Sequence, residues 1–218
     1  MRSASRYKAP VAALAALVVM GTVSTASAAS AGAGGGADGG PQARGAYARV
    51  TGSAEFVLPY VKDRDVRSFT FDAQAAPYSN PLPGIPTGLP SDARGTVKVS
   101  HYSDWDKRTY TAVGRVDCLV TGPHTATLTA VFTEVSPGGP PWLGKRIGFS
   151  VYDGGPDGGR SEDRVGFSWN GVNLLPGGAG EPAEAEVGTC MAPAPYAPVT
   201  RGGYTVRHAD LLPPPAAR

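Results

Sequence analysis

The chain is poor in the residues that build metal clusters, disulfide knots and membrane bundles. Its 218 residues include three His and two Cys, too few for repeated metal-ligand pairs or for a multi-disulfide scaffold. Charged residues make up 17% and aromatic residues 8%. With 41% hydrophobic content, so little charge excludes a wholly disordered chain. The 30 Gly and 21 Pro argue against a helical bundle, and without a Gly-X-Y period they do not make a collagen. After residue 28 no long apolar run follows, so no membrane span is expected beyond it.

Present instead is a clear N-terminal signal. Arg2, Arg6 and Lys8 form a basic head, Val11 to Val23 an uncharged apolar stretch, and Ala26-Ser27-Ala28 a small-x-small cleavage site. Together they read as a secretory signal peptide over residues 1–28. Its removal leaves 17 Lys and Arg against 18 Asp and Glu, a formal charge of −1 in place of +2. The basic balance therefore belongs to the signal, and nucleic acid is not an expected partner. No lipoprotein cysteine lies near the cleavage site and no apolar tail ends the chain, so no membrane anchor is expected. The expected location is secreted, extracellular. Residues 29–46 read as a flexible, disordered Gly/Ala/Ser-rich leader, 47–208 as one β domain, and 209–218 as a Pro-rich tail.

Alternation of period two recurs through the domain. Phe69, Phe71, Ala73 and Ala75 share one parity, as do Val97 and Val99, and Ala112 through Val120. The pattern repeats over Ala126–Phe132, Ile147–Val151 and Val165–Trp169. This is how half-buried antiparallel strands look. Segments around Val50–Val57, Val187–Met191 and Tyr204–His208 bring the expected number to about nine. Turn signals at Asp104–Lys107, Gly122-Pro123, Pro137–Pro141, Asp153–Asp163 and Arg201-Gly202-Gly203 separate them. The expectation is an all-β antiparallel sandwich or Greek-key barrel. Pro77–Pro90, with five prolines in 14 residues, reads as a stiff crossover.

Candidate chemistry is sparse, and no catalytic residue is assigned. Gly166-Phe167-Ser168-Trp169-Asn170-Gly171 is near a nucleophile elbow, but the second Gly is one place late and the run is strand-like. His101, His124 and His208 lie in different strands or turns. His101, Asp104 and Asp106 flank a hairpin tip, too few ligands for a firm zinc site. Asp72 and Asp117 are expected to face water. Trp105, Trp142 and Tyr196 stand in or beside turns, where a flat ring stacks on a sugar or packs over a sheet edge. The segment 153–163 holds four acids and four glycines. It reads as a solvated hairpin loop, or as a weak calcium site formed by Asp153, Asp157, Glu162 and Asp163; calcium is the one cofactor considered. Cys118 and Cys190, an even pair in an exported chain, are expected to form a disulfide.

Ala93-Arg94-Gly95-Thr96-Val97, Val116-Asp117-Cys118-Leu119-Val120, Gly148–Gly155 and Val187-Gly188-Thr189-Cys190-Met191 resemble exported proteins of high-GC bacteria that go under the label "repetin". The likeness spans about residues 50–207, and its middle part has a lesser similarity to post-COAP-type secreted β-modules. The resemblance implies an exported β domain and carries over no activity and no site residue. The expected function is a secreted, non-catalytic β-module that binds a cell-wall, glycan or protein surface. The alternative is a secreted hydrolase with an unidentified site.

Overall fold

The structure, a computed structural model, describes residues 47–155, 162–175 and 183–216. The segments expected to be a signal peptide and a leader, and Asp157, lie outside the described residues. Eight strands follow one another: β1 (Arg49–Phe56), β2 (Val66–Ala75), β3 (Ala93–Ser103), β4 (Arg108–Gly122), β5 (Thr125–Val135), β6 (Arg146–Tyr152), β7 (Arg164–Phe167) and β8 (Ala197–Arg207). Each pairs antiparallel with its sequence neighbour, and β8 returns to pair with β1, closing a barrel. Closure removes the sheet edges except along the part of β8 that the short β7 does not reach. Among the described residues the one departure from strand and loop is a 3-10 turn at Asn170–Val172, and no helix is long and apolar enough to cross a membrane.

The all-β expectation holds, with corrections to strand number and topology. The connections are an up-and-down meander closed on itself, not a Greek key or a two-sheet sandwich. Among the described residues eight strands are found where about nine were expected. The segment Val187–Met191 is not a strand, because Thr189-Cys190 turns the chain and Pro193 and Pro195 lack the donors a ladder needs. Arg201-Gly202-Gly203 is not a turn either. It lies inside β8, where the register against β1 slips at a bulge and Gly202 takes φ +76.

The barrel interior is filled. Phe56, Phe69, Phe71, Phe132, Phe149 and Phe167 point inward and pack in tilted and edge-to-face pairs, Phe69 meeting Phe149 edge to face at 5.2 Å and Phe167 at 5.0 Å. Such pairs add about 0.5–1.5 kcal/mol each beyond the area they bury. Ala54, Ala73, Ala112, Ala126 and Ala130 supply the small partners that let those rings fit.

One flank of the barrel is covered twice. On β6, Ile147, Phe149 and Val151 face the core, yet the outward Gly148 and Ser150 are buried too. Residues 187–196 run across the outside of β5, β6 and β7 as a strap. The Cys190 amide donates to Thr129 Oγ1 at 3.2 Å, and Arg164 holds the Pro195 and Tyr196 carbonyls at 3.2 and 2.7 Å. A Cβ at Gly148 would stand 1.9 Å from the Met191 oxygen, and one at Gly166 2.3 Å from the Ala194 oxygen. Glycine at both positions is what lets the strap lie on the sheet.

The Cys118–Cys190 disulfide is formed and pins the strap to β4. A bulge explains how. Val116 pairs with Ala130 and Cys118 with Thr129, so Asp117 is the extra residue and the parity of β4 flips. Leu119, not Cys118, then faces the core, and the cysteine is turned outward to meet the strap. Asp117 is buried rather than facing water: it accepts from Thr129 Oγ1 at 2.6 Å and from Arg146 Nε at 2.8 Å. Asp72 does face water and pairs with Arg49 at 2.9 Å.

Candidate functional site

In an up-and-down barrel the connections alternate between the two ends. The β1–β2, β3–β4, β5–β6 and β7–β8 connections gather at the end where β1 finishes. There the barrel opens into a cavity of about 430 Å³. Phe56, Phe69, Val99 and Phe167 form its floor, with Leu58 and Val61 from the β1–β2 loop. Pro140, Pro141 and Trp142 of the β5–β6 loop and Trp169 after β7 make the walls. The polar residues Arg67, Ser100, His101 and Glu184 complete the lining of this apolar mouth. A concave, mainly apolar pocket with a few convergent polar groups, at the mouth of a β-barrel, is a common place for small ligands.

Arg67 and His101 lie directly opposite one another on β2 and β3. Each shares the inward parity of its strand, Arg67 with Phe69 and Phe71, His101 with Val97 and Val99. That parity is the signal by which the sequence could have revealed the mouth: a charged residue on the core-facing register at a strand end. Asp65 joins the pair, facing His101 Nε2 at 2.8 Å and receiving Arg67 Nη2 at 3.2 Å. Its other oxygen accepts the Asp104 amide at 2.8 Å, which ties the β1–β2 loop to the β3–β4 turn. Asp63 receives both terminal nitrogens of Arg67, at 3.0 and 2.5 Å. The Arg67 hydrogen bond holds the Asp63 carboxyl below its ordinary range against the opposing cost of burial, and Arg67 is raised in turn. At the mouth's edge, burial and the neighbouring Tyr60 hydroxyl push the Tyr196 phenol far above its ordinary value.

The other sequence candidates are scattered. Ser168 is buried, and its hydroxyl accepts the Gly148 amide at 2.9 Å, which extends the β6–β7 ladder by one rung. His124 sits at φ 58 in the β4–β5 turn, and His208 bonds Thr121 Oγ1 at 3.0 Å near the opposite end. Trp142 is buried in the mouth wall against Phe132, Tyr196 is half-buried on Phe167, and Trp105 is 95% exposed.

Of the acids of the 153–163 segment, Asp153, Glu162 and Asp163 stand at the end opposite the mouth. There β7 is short and pairs with β8 through Arg164↔Pro198 and Val165↔Ala197. Further along β8 two side chains stand in for the missing strand. Asp163 accepts the Tyr204 amide at 2.6 Å and the Gly154 amide at 2.8 Å. Asp153 accepts the Val206 amide at 2.9 Å and the Gly155 amide at 2.9 Å. Glu162 is exposed, and Asp157 lies outside the described residues. Among the described residues no three His, Cys, Asp or Glu side chains converge as a metal-ligand set. No family model, curated protein or solved structure matches the chain.

Proposed function

We propose that the chain is an exported, non-catalytic binding module whose barrel mouth takes a small apolar ligand. The observation that carries this reading is the aromatic cavity of about 430 Å³ with Arg67 and His101 at its lip. That volume suits a compact organic molecule. The signal-like N-terminus and the disulfide favour an extracellular setting. A ligand anchored in the mouth and exposed at the lip would also present a binding face to a cell-wall, glycan or protein surface.

The hydrolase alternative has one specific support, the His101–Asp65 pair at the lip of an apolar cavity. An imidazole oriented by a carboxylate is the core of many general-base sites. Here Asp65 also holds Arg67 and the Asp104 amide, a network that fixes the loops of the mouth.

One preparation tests both readings. Protein recovered from culture medium, beginning at or near Ala29, is titrated with 1-anilinonaphthalene-8-sulfonate and assayed against short-chain aryl esters. Expected is one saturable probe site, abolished by Val61→Trp, which fills the mouth from a partly exposed position, and retained by His101→Gln. Probe uptake unchanged in Val61→Trp would overturn the binding reading. Ester turnover lost in His101→Gln would establish the hydrolase instead. Full-length chain confined to the membrane pellet would overturn export.

A further inference from the structure

We propose that the shelf beside the mouth, formed by the β1–β2 loop and the Asp104–Lys107 turn, is a saccharide-binding site with Trp105 as its stacking platform. A lone surface indole needs no ligand. This one is set apart by the rigidity of its base, the balance of charge around it and the depression it borders.

The base is fixed on both sides of the ring. The Asp104 amide donates to Asp65 at 2.8 Å, and the Asp104 carboxylate receives Lys107 at 2.6 Å and Arg64 at 3.0 Å. Asp106 accepts the Tyr110 hydroxyl and the Arg108 amide, and Lys107 takes φ 56 to close the turn. These bonds hold the Asp104 and Asp106 carboxyls below their ordinary range, through Lys107 and Tyr110 respectively. An aromatic platform already ordered loses little freedom when a ligand lands on it.

Charge selects the class of ligand. Lys62, Arg64, Asp63, Asp65 and Asp104 line the depression beside Trp105. Both signs are present in near balance, and the carboxylates are already paired with Arg67, Arg64 and Lys107. A phosphate or an acidic polymer would meet these carboxylates, and a cation would meet the ammonium and guanidinium groups. A neutral polyol meets neither penalty, because each hydroxyl both donates and accepts and so bridges a carboxylate oxygen to a cationic N–H. The ring then specifies geometry. A pyranose with equatorial substituents presents a face of axial C–H groups, slightly positive, to the negative face of the indole. β-1,4-linked glucose or N-acetylglucosamine oligomers keep that face along their length.

The shelf meets the mouth at Asp65, but the proposal does not depend on what fills the mouth. The test follows the indole N–H signals of Trp105, Trp142 and Trp169 in the nitrogen-15-labelled mature chain, titrated with cellotetraose and chitotetraose to ~10 mM. The Trp105 signal should move while the other two stay. Trp105→Ala should bind about tenfold more weakly or not at all, and Trp105→Tyr should keep part of the affinity. An unchanged melting temperature will show that the exposed substitution leaves the fold intact. No movement at the highest concentration, movement confined to Trp142 or Trp169, or undiminished affinity in Trp105→Ala would each overturn the proposal. The apolar probe reads the mouth separately, so failure at one site is distinguishable from failure at the other.

Discussion

Aspartate does different work at the two ends of this barrel. At the end opposite the mouth Asp92 and Asp163 are 3% and 2% exposed, and with the half-buried Asp153 they accept main-chain amides. Asp92 receives the Asn80 and Leu89 amides with one oxygen and so folds the proline-rich crossover back on itself. Asp153 and Asp163 complete the β7–β8 seam. At the mouth, Asp63, Asp65, Asp104 and Asp106 are more accessible, and the first three bond cationic or imidazole side chains. A buried acceptor of fixed amides cannot be exchanged without opening the fold. A surface ion pair adjusts when a ligand offers another partner, and contributes little to stability. Burial, and the cationic or imidazole partners added to the amides that Asp63 and Asp65 also accept, separate the structural end from the end proposed to bind.

The largest effect should come from the disulfide, which anchors the strap between the two ends. Its 72-residue separation corresponds to at most about 4.4 kcal/mol of loop-closure stabilisation. Cys118→Ser with Cys190→Ser should lower the urea midpoint by the equivalent of about 2–4 kcal/mol. A loss under about 1 kcal/mol would mean that the Arg164 and Thr129 contacts hold the strap alone.

Asp163→Ala comes next. It strips acceptors from the Tyr204 and Gly154 amides in a buried setting, and about 2–4 kcal/mol should be lost. The cost should persist in ~1 M salt, where exposed pairs are screened. Because the carboxylate oxygens of Asp153 and Asp163 already receive amides, the wild-type melting temperature should be the same in EDTA and in ~10 mM calcium. A clear rise with calcium would move these acids from the structural to the binding side of the comparison.

How much of this was legible follows from what each strand touches. β2 and β3 are covered on one face, so Phe69, Phe71, Ala73, Val97 and Val99 show the alternation in the bare sequence. β4 misleads after Val116, because a bulge at Asp117 turns Cys118 outward and Leu119 inward, and nothing local in Val-Asp-Cys-Leu announces it. The strap reads as a strand because its apolar residues, Val187 and the exposed Met191, look the same in sequence whether they pair in a sheet or lie across one. Closure was illegible for another reason: it rests on β1 meeting β8 across most of the domain, and period-two alternation is the same in a sandwich and a barrel. The mouth was missed because its residues come from separate connections with no motif spacing. The inward parity of Arg67 and His101 was the available trace.

The smallest effect belongs to Asp63, and its pH dependence tests the mouth's half of the comparison. The Arg67 hydrogen bond lowers the folded-state pKa of this carboxyl from its ordinary 3.8. A depressed carboxyl contributes stability that is present above the unfolded value and lost as pH falls through the folded one. Asp63→Asn should therefore cost at most about 1 kcal/mol at pH 7, since the pair is partly exposed, and less in ~1 M salt. Below about pH 4 the deficit should shrink, and it should disappear once the wild-type carboxyl is itself protonated. Denaturant midpoints of wild type and variant at pH 7, 4 and 2.5 measure this directly. A deficit that stays constant across that range, or one of several kcal/mol, would place Asp63 with Asp163 as a fixed structural acceptor and remove the distinction between the two ends.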